Sequence, residues 1–211
     1  MYTLYYMPGA CSMAVHVILN ELNQPVKLEN VGDPSGGSKR PPEFLKVNPR
    51  GNVPTLMDDG NVIREGGAII SYLLDKHNSP MMPKSGKERA TALEWLMFCN
   101  ATLHPAYGRA FFALKNFTGD VQQKVLSVCF EHINKNWQDV ENRLSQSPYL
   151  CGQECTAADI LLTVIANWSS YFPSQSIQIG PKAKALFTKV IARPAYQKAL
   201  TTEKVEYKAA A

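Results

Sequence analysis

The spacing of hydrophobic residues changes along the chain, from short runs in the first third to long helical periods afterwards. In the first third, β-branched and aromatic runs predict strands, and an apolar residue at every third or fourth position predicts helices. The Asp59-Gly60 pair between two apolar runs is typical of a β-hairpin turn. The predicted elements are a strand at residues 3–7, a helix to about residue 22, a strand at 26–31, a helical turn at 43–47, strands at 55–58 and 61–64, and a helix at 66–76. This βαβαββα order predicts one small α/β domain.

After residue 80 the apolar period is helical throughout, so we expect a second, all-helical domain. A stretch with two prolines, a glycine and two lysines separates the halves. It predicts domains at residues 1–78 and 88–211 with a linker at 79–87. The last helices are predicted at 181–192 and 194–200. Two amphipathic faces are predicted before them, one with Leu93, Leu96, Met97, Asn100, Ala101 and His104, and one with Val121, Val125, Val128, Cys129, His132, Trp137, Val140 and Leu144.

A capping box precedes the most apolar of the predicted helices. Thr156 offers a side-chain N-cap, and Asp159, three positions later, offers an acid just before the apolar run at residues 160–166. Cys155 and Ile160 are candidates for the hydrophobic staple around this cap. Because the run is apolar on every side, we expect it in the middle of the helical domain and assign these residues a structural role.

Composition indicates a folded chain and offers no sign of a nucleic-acid partner. The 211 residues are 45% hydrophobic and 19% charged, which is enough apolar material for one or two cores. The 22 basic and 18 acidic residues give a formal charge of +4 without a long run of Lys or Arg. The sequence begins without the pattern of a secretory leader and has no apolar run of membrane-spanning length, so we expect a cytoplasmic protein with no membrane partner.

Cysteine usage favours a reducing compartment. The five cysteines are odd in number and scattered, unlike a disulfide framework. Two of them lie four positions apart but lack a second pair of ligands, so we expect no metal site. The cysteines are Cys11, Cys99, Cys129, Cys151 and Cys155.

Cys11 is the candidate reactive group, because it falls where the first predicted strand gives way to the first helix. Unpaired N–H groups and the dipole at a helix N-terminus stabilise negative charge, so we expect a lowered pKa for this thiol. The alternative is a small buried cysteine that fills a corner. Ser12, Met13 and Ala14 follow, so the CxxC motif of a dithiol redox cycle is absent.

Four motifs, taken in their order and spacing, carry a resemblance that covers essentially the whole chain. They are YYMPGACSMAVH from residue 5, NPRGNVPTL from residue 48, REGGAI from residue 64 and TAAD from residue 156. With these motifs the chain resembles the cytosolic glutathione transferases and is most similar to the bacterial beta class. The resemblance implies a thioredoxin-like N-terminal domain that binds glutathione as co-substrate, an all-helical C-terminal domain and a homodimer.

The resemblance also implies where glutathione binds. A cis peptide bond before Pro54 would turn the Val53 backbone so that it pairs with the cysteinyl backbone of glutathione like an added strand. Glu65 is implied to pair with the γ-glutamyl ammonium, and helix N-terminal N–H groups at Gly66 with its carboxylate. From the residues alone, a proline in an ordinary turn and a surface glutamate are the alternatives. The implied contacts are Tyr6, Cys11, Arg50, Asn52, Val53, Pro54, Glu65, Gly66 and His104.

His104 matches an active-site histidine of the beta class, and the resemblance makes it the second catalytic residue beside Cys11. Its helical stripe with Met97 and Ala101 predicts that it faces the interior or the domain cleft, and a hydrogen-bonded core histidine is the alternative. Two departures leave the electrophile open. Pro105 stands where the class commonly has lysine, and Met97 stands where it often has asparagine.

The remaining ligand contacts are candidates only. The glycine carboxylate of glutathione usually meets a basic side chain before the second helix, which is Lys39 or Arg40 here, at the end of a loop over residues 32–42. Aromatic candidates for the electrophile pocket are Tyr107, Phe111, Phe112, Trp168 and Tyr171, with core packing as their alternative.

Two functional hypotheses follow. The first is a detoxifying transferase that conjugates the glutathione thiolate to hydrophobic electrophiles, with Cys11-dependent disulfide or peroxide chemistry as a related activity. The second keeps the fold as a non-catalytic module that binds ligands or protein partners. Pro105 and Met97 favour the module, whereas Cys11 and the motifs around Val53 and Glu65 favour the enzyme.

Overall fold

The structure, a computed structural model, describes residues 1–32, 39–173 and 176–210. Its contacts divide the chain into two compact units. Unit 1 is formed by Met1–Lys84 together with Ile191–Tyr207, and unit 2 by Ser85–Val190 with the last residues of the chain. The predicted domain boundaries stay a prediction, and the structure adds that Ile191–Tyr207 belongs with the first unit.

The helices and strands follow the predicted order. They are β1 (Tyr2–Tyr6), α1 (Ser12–Glu21), β2 (Val26–Asn30), α2 (Pro42–Val47), β3 (Thr55–Asp58), β4 (Asn61–Arg64), α3 (Gly66–Lys76), α4 (Gly86–Met97), α5 (His104–Asn116), α6 (Gly119–Leu144), α7 (Ala157–Ala166), α8 (Pro181–Ile191) and α9 (Pro194–Glu203). The thioredoxin-like βαβαββα order and the helical remainder are therefore confirmed. The predicted loop over residues 32–42 lies largely outside the described residues.

The sheet of unit 1 brings three chain segments to one edge. Its strand order is β2-β1-β3-β4, with β1 parallel to β2 and antiparallel to β3, and β3 antiparallel to β4. Tyr5 lies opposite Thr55, and Thr55 lies opposite Arg64. The segments that follow β1, precede β3 and follow β4 therefore meet at the same edge of the sheet.

Helix α1 is buried all round, because α9 packs against it in addition to the sheet and α3. Arg193 makes two hydrogen bonds to the Glu21 carboxylate, at 2.6 and 2.8 Å. One residue earlier in α1, Asn20 donates from Nδ2 to the Ala195 carbonyl at 3.1 Å. The sequence predicted a one-sided apolar stripe for α1, and α9 explains the second buried side.

A π-helical turn, Phe98–Leu103, joins α4 to α5. The N–H of His104 donates to the carbonyl of Cys99, five residues earlier. Pro105 explains this change of helix type, because proline has no N–H for an α-helical bond and its ring crowds the preceding turn.

The buried face of this helical segment differs from the predicted one. Leu96, Cys99 and Leu103 have no exposed surface, whereas Met97 is 37% exposed and Ala101 is exposed. The predicted face is therefore right only in part: Leu96 is buried as expected, whereas an interior position is wrong for Met97 and Ala101. Cys99 and Leu103 take the interior positions instead. That His104 faces the interior or the domain cleft stays a prediction.

Helix α6 is amphipathic as predicted, but its first half is more exposed than expected. The exposed members of the predicted face are Val121, Val128 and His132, and the buried side chains of the helix are Cys129, Ile133, Trp137, Val140 and Leu144.

Within the described residues no helix, α6 included, is long and apolar enough to cross a membrane.

Helix α7 is the central helix of unit 2, and every one of its residues is buried. The predicted capping box is confirmed. The Asp159 carboxylate accepts hydrogen bonds from the N–H of Thr156 at 2.7 Å and from its hydroxyl at 2.8 Å. It also accepts the N–H of Leu150 at 2.8 Å, so it joins the helix to the preceding loop as well.

Candidate active site

The corner between β1 and α1 is a tight turn closed by its own backbone. The N–H of Ala10 donates to the carbonyl of Met7 at 3.1 Å, with Pro8 and Gly9 between them. Gly9 has φ +68°, which a type II turn requires at its third position, and Pro8 suits the second position. The turn therefore delivers the next residue, the candidate cysteine, to the sheet edge in a fixed position.

Cys11 is partly buried directly before α1, and its Sγ–H donates to the carbonyl of Val53 at 3.3 Å. Burial raises the pKa of this thiol to about 12. The N–H groups of Cys11 and Ser12 act in the opposite direction, and the Glu65 carboxylate raises the pKa further. The expected lowering of the pKa is therefore wrong, because the loss of water around the thiol outweighs the effect of the helix N-terminus.

The segment before β3 turns its backbone toward this corner. Its Val53–Pro54 peptide bond is cis, as the resemblance implied. The buried Asn48 side chain donates from Nδ2 to the carbonyl of Asn52 and to the hydroxyl of Thr55, both at 2.9 Å. A buried amide that bonds two points of one turn fixes its shape. Asn48 opens the NPRGNVPTL motif, but no local pattern in the sequence predicts that its side chain holds this turn.

Glu65 follows β4 with φ +72° and ψ 119°, a backbone conformation that non-glycine residues rarely adopt. Helix α3 begins at Gly66 without a side-chain cap from the described residues, so its first N–H groups are available to a ligand. The Glu65 carboxylate is 67% exposed and lies 3.4 Å from the Arg50 guanidinium. An exposed carboxylate beside open helix N–H groups suits a ligand that carries both an ammonium and a carboxylate.

The two candidates for a further basic contact differ in how they are held. Arg40 donates from Nε to the carbonyl of Gly51 at 3.0 Å, which ties it to the turn that leads into Val53. Lys39 is exposed, and its carbonyl accepts a longer bond of 3.4 Å from Arg40. The geometry of unit 1 therefore favours Arg40.

Tyr6 is buried at the end of β1, with 8% of its surface exposed. Burial raises the pKa of its phenol, and the nearby Glu203 carboxylate raises it further. A phenol with a raised pKa stays protonated at neutral pH, so Tyr6 does not offer a phenolate. Its contact with glutathione stays a prediction.

In unit 2, His104 is partly buried and packs edge-to-face against Trp168 with ring centroids 4.9 Å apart. Burial lowers the pKa of the imidazole, so it is neutral at neutral pH. A neutral imidazole can accept a proton, which is the chemistry expected of a general base. Its catalytic role stays a prediction.

The aromatic residues proposed for the electrophile pocket divide into core and surface. Tyr107 is fully buried, and its hydroxyl contacts Trp137 Nε1 at 2.9 Å and Ser169 Oγ at 2.6 Å. Tyr107 therefore packs in the core of unit 2, which is the alternative that the sequence left open, and its place in an electrophile pocket stays a prediction. Phe111 is partly exposed and packs against Trp168 with ring centroids 6.2 Å apart, and both keep their candidate role.

One edge of the unit 1 sheet thus brings four groups together. They are the Cys11 thiol, the exposed Glu65 carboxylate, the uncapped N–H groups at the start of α3 and the turn with the cis peptide bond before β3. Over the described residues no group of three or more His, Cys, Asp or Glu side chains is placed to hold a metal ion, and a metal-free site stays a prediction. All five cysteines are free thiols. The predicted glutathione contacts that unit 1 brings to this edge are Cys11, Arg50, Asn52, Val53, Pro54, Glu65 and Gly66.

Two family models match this chain. One, described as the N-terminal domain of glutathione S-transferase, matches residues 4–81. The other, described as the C-terminal domain of glutathione S-transferase, matches residues 90–194.

Individual relatives agree with these matches. Glutathione S-transferase GstA of Escherichia coli O157:H7 is 30% identical over 203 residues, which span 95% of this chain and 98% of the relative. A glutathione transferase from Methylococcus capsulatus, known as a crystal structure, has a TM-score of 0.81 and 35% identity, with 97% of this chain and 99% of that chain covered. A sphingomonad glutathione S-transferase complexed with glutathione has a TM-score of 0.78 and 26% identity, with 97% and 100% covered.

Proposed function

This chain belongs to the glutathione S-transferase family and is a glutathione transferase, and from that premise we propose how its own residues perform the transfer. Glutathione binds in unit 1 at the sheet edge that carries Cys11. Its thiolate attacks a hydrophobic electrophile, and Cys11 supports a second, disulfide chemistry. The enzyme acts as a homodimer of the beta type in detoxification.

The observation that carries this proposal is the hydrogen bond from Cys11 Sγ to the Val53 carbonyl at 3.3 Å. A peptide that pairs with the Val53 backbone, as an added strand does, would place its own N–H on the same carbonyl. The cysteinyl sulfur of a bound glutathione would then lie beside the Cys11 sulfur. This juxtaposition suits both stabilisation of a thiolate and formation of a disulfide.

The two ends of glutathione fit the charges around this point. The γ-glutamyl ammonium pairs with the Glu65 carboxylate, and the γ-glutamyl carboxylate accepts the open N–H groups at Gly66. The glycine carboxylate meets Arg40, which the Gly51 carbonyl already orients.

In the conjugation step, the glutathione thiol loses its proton and the thiolate forms a carbon–sulfur bond to the electrophile. The leaving group departs with its bonding electrons. Burial raises the pKa of the Cys11 thiol to about 12, so Cys11 keeps its proton and can donate a hydrogen bond to the glutathione sulfur. A hydrogen bond to the charged form lowers the pKa of glutathione's thiol. His104, a neutral imidazole, is the proposed acceptor of its proton.

In the disulfide step, the small fraction of Cys11 that has lost its proton attacks, as the thiolate, the glutathionyl sulfur of a mixed disulfide. The other thiol leaves with the electron pair and takes up the Cys11 proton. A glutathione then attacks the resulting Cys11–glutathione disulfide, and oxidised glutathione leaves while Cys11 returns to the thiol. With a peroxide, Cys11 becomes a sulfenic acid and two glutathiones reduce it through the same disulfide, releasing an alcohol and water.

The test begins with calorimetric titration of glutathione into wild type, Cys11→Ala and Cys151→Ala. Conjugation of a chlorinated nitroaromatic and reduction of a glutathione mixed disulfide are then measured on the same samples. Cys151 is a matched control, because it is also partly buried but lies in unit 2. We expect Cys11→Ala alone to abolish disulfide reduction and to slow conjugation.

Three outcomes decide between the alternatives. If Cys11→Ala reduces the disulfide at the wild-type rate, Cys11 has no covalent role. If wild type binds glutathione but turns over neither substrate, this protein is a binding module instead. A folded wild type that does not bind glutathione would overturn the proposed site altogether.

A further inference from the structure

The last helix of the chain places a buried carboxylate against the corner that carries the candidate cysteine. The Glu203 side chain has no exposed surface, and its Oε2 accepts the N–H of Gly9 at 3.0 Å. Its Oε1 lies 2.9 Å from Nδ1 of His16, which is 2% exposed. All three residues belong to unit 1, although 194 positions of sequence separate Gly9 from Glu203.

A carboxylate so far from water needs partners, because burial of an uncompensated charge is costly. His16 and Gly9 supply one partner for each oxygen of Glu203. At the end of β1, burial and, after it, this same carboxylate raise the pKa of the Tyr6 phenol. The Glu203 carboxylate is thus held in one position at this corner by a partner on each oxygen.

The position of Gly9 determines where the turn places Cys11. The turn closes through the N–H of Ala10, so the N–H of Gly9 is directed outward and Glu203 holds it. With φ +68°, Gly9 has a backbone conformation that L side chains rarely adopt, and the side chain of Val205 lies in ordinary contact distance, 3.5 Å, of where a Cβ would be. Two residues later the chain reaches Cys11, so a shift of Gly9 moves the thiol.

We propose that Glu203 is a positioning residue for the glutathione site. By holding the N–H of Gly9, the carboxylate of α9 fixes the turn that carries Cys11 and sets how far the Cys11 thiol is withdrawn from water. The effect on glutathione affinity rests on the proposed function, whereas the effect on Cys11 does not.

A merely structural role would be to dock α9 on α1. The structure separates the two roles, because α9 is anchored at its other end by the Arg193–Glu21 pair, whose two hydrogen bonds do not involve the Cys11 corner. Glu21→Gln therefore loosens the same helix without touching Gly9. It is the matched control for Glu203→Gln, since both changes replace a poorly exposed carboxylate by its amide.

The experiment uses the full chain and compares wild type, Glu203→Gln, Glu203→Asp and Glu21→Gln. The rate of Cys11 alkylation by iodoacetamide is followed by mass spectrometry across pH, glutathione affinity by calorimetry, and the Gly9 amide proton by NMR. For Glu203→Gln we expect alkylation at mildly alkaline pH to rise about tenfold, because water returns to the thiol and its pKa falls. Glutathione affinity should weaken about tenfold, because the turn that carries Cys11 is no longer held by a charged acceptor and part of the binding free energy is used to order it.

The controls make each outcome decisive. Glu203→Asp keeps the charge but shortens the side chain, so we expect smaller shifts in the same direction, and it replaces Glu203→Gln if that variant does not fold. Glu21→Gln should lower Tm while leaving Cys11 alkylation and the Gly9 amide proton unchanged. Equal changes at both ends of α9, or unchanged alkylation in both Glu203 variants, would overturn the proposal. If wild type binds no glutathione, the proposed function fails while the alkylation comparison still decides this inference.

Discussion

Helices α7 and α3 start in opposite ways. At α7, Thr156 and Asp159 close the N-terminus with a complete capping box, and every residue of the helix is buried. At α3, Glu65 adopts φ +72° and the helix opens with Gly66, without a side-chain cap from the described residues. Every helix N-terminus carries the same unpaired N–H groups. Where side chains bond them they contribute to stability, and where they stay open they are available to an anion.

A third helix shows that the cap can come from a distance. At the start of α8, the N–H groups of Lys182 and Ala183 donate to the Glu141 carboxylate of α6, at 3.0 and 3.1 Å. We therefore expect changes at the starts of α7 and α8 to lower the free energy of unfolding and leave ligand affinity alone. A change at the start of α3 should do the reverse.

The largest effect is expected for Asp159→Ala. Its carboxylate serves the N–H of Thr156 and the N–H of Leu150, so its loss leaves two buried donors without an acceptor. Because an unsatisfied buried donor costs about 1–3 kcal/mol, we expect the free energy of unfolding to fall by about 3 kcal/mol. A cap alone would give only about 1 kcal/mol. Urea denaturation measures the difference.

The control for this change is Asp139→Ala, at an exposed position of α6. It should leave the free energy of unfolding within about 0.5 kcal/mol of wild type. Folded Asp159→Ala should bind glutathione with wild-type affinity. If it folds with wild-type stability but no longer binds, the structural assignment of the capping box is wrong.

Glu65→Gln should produce the second largest effect, on binding rather than folding. The side chain is two-thirds exposed and its pair with Arg50 is long, so we expect the free energy of unfolding to change little. Loss of a charge-assisted bond to the γ-glutamyl ammonium should weaken glutathione binding by about 2 kcal/mol. Calorimetry measures the affinity.

An exposed glutamate on α2, Glu43, provides the comparison for that variant. Glu43→Gln removes the same charge from unit 1 and should leave affinity unchanged. A drop in Tm for Glu65→Gln without a loss of affinity would mean that α3 depends on this carboxylate as a cap.

The sequence predicted most elements of this fold, because its local signals agree with the tertiary structure. The Asp59-Gly60 hairpin and the Thr156 cap depend on neighbours within a few residues, and both were found. Missed features depend on distant partners. No pattern within α1 predicts that α9 covers its second side. No residue near Met97 indicates that Cys99 and Leu103 pack inward while Met97 and Ala101 stay exposed.

In the candidate site, too, features with a local sequence signal were predicted and features that depend on distant partners were missed. Motifs and the family resemblance located the thiol, the cis proline and the turn at Glu65. The direction of the Cys11 pKa shift was wrong, because a helix N-terminus is visible in sequence whereas the extent of burial is not. Glu203 went unnoticed for the same reason, since its partner Gly9 lies at the other end of the chain.

A smaller loss of stability is expected for Gly180→Ala, at the start of α8. An added Cβ would lie 2.4 Å from Glu141 Cδ, so the Glu141 side chain must move away and release the helix N–H groups. We expect the free energy of unfolding to fall by about 1 kcal/mol. Gly108→Ala in α5 meets no atom within 4 Å and should stabilise slightly, because alanine favours helix. If both substitutions stabilise the protein, Glu141 is not a cap.

The smallest expected effect concerns the side-chain bonds between β3 and the C-terminal end of α3. Asp58 of β3 is buried and bonds the ammonium of Lys76, the last residue of α3, and the hydroxyl of Tyr72. These partners, with the Lys76 bond first, hold the pKa of the Asp58 carboxyl below its ordinary value. A lowered pKa contributes stability that is complete above the unfolded value, about 3.9, and is lost as pH falls through the lower folded value.

Asp58→Asn should therefore lower the urea midpoint at neutral pH, and the difference from wild type should shrink as pH falls below about 4. The effect is small because Lys76 is 41% exposed and water screens the pair. Asp59→Asn is the control, since Asp59 is 79% exposed and its ion pair with the N-terminal ammonium is open to solvent. If the difference in urea midpoint between Asp58→Asn and wild type stays the same at every pH, the Asp58 side chain stabilises this end of α3 through packing and not through its charge.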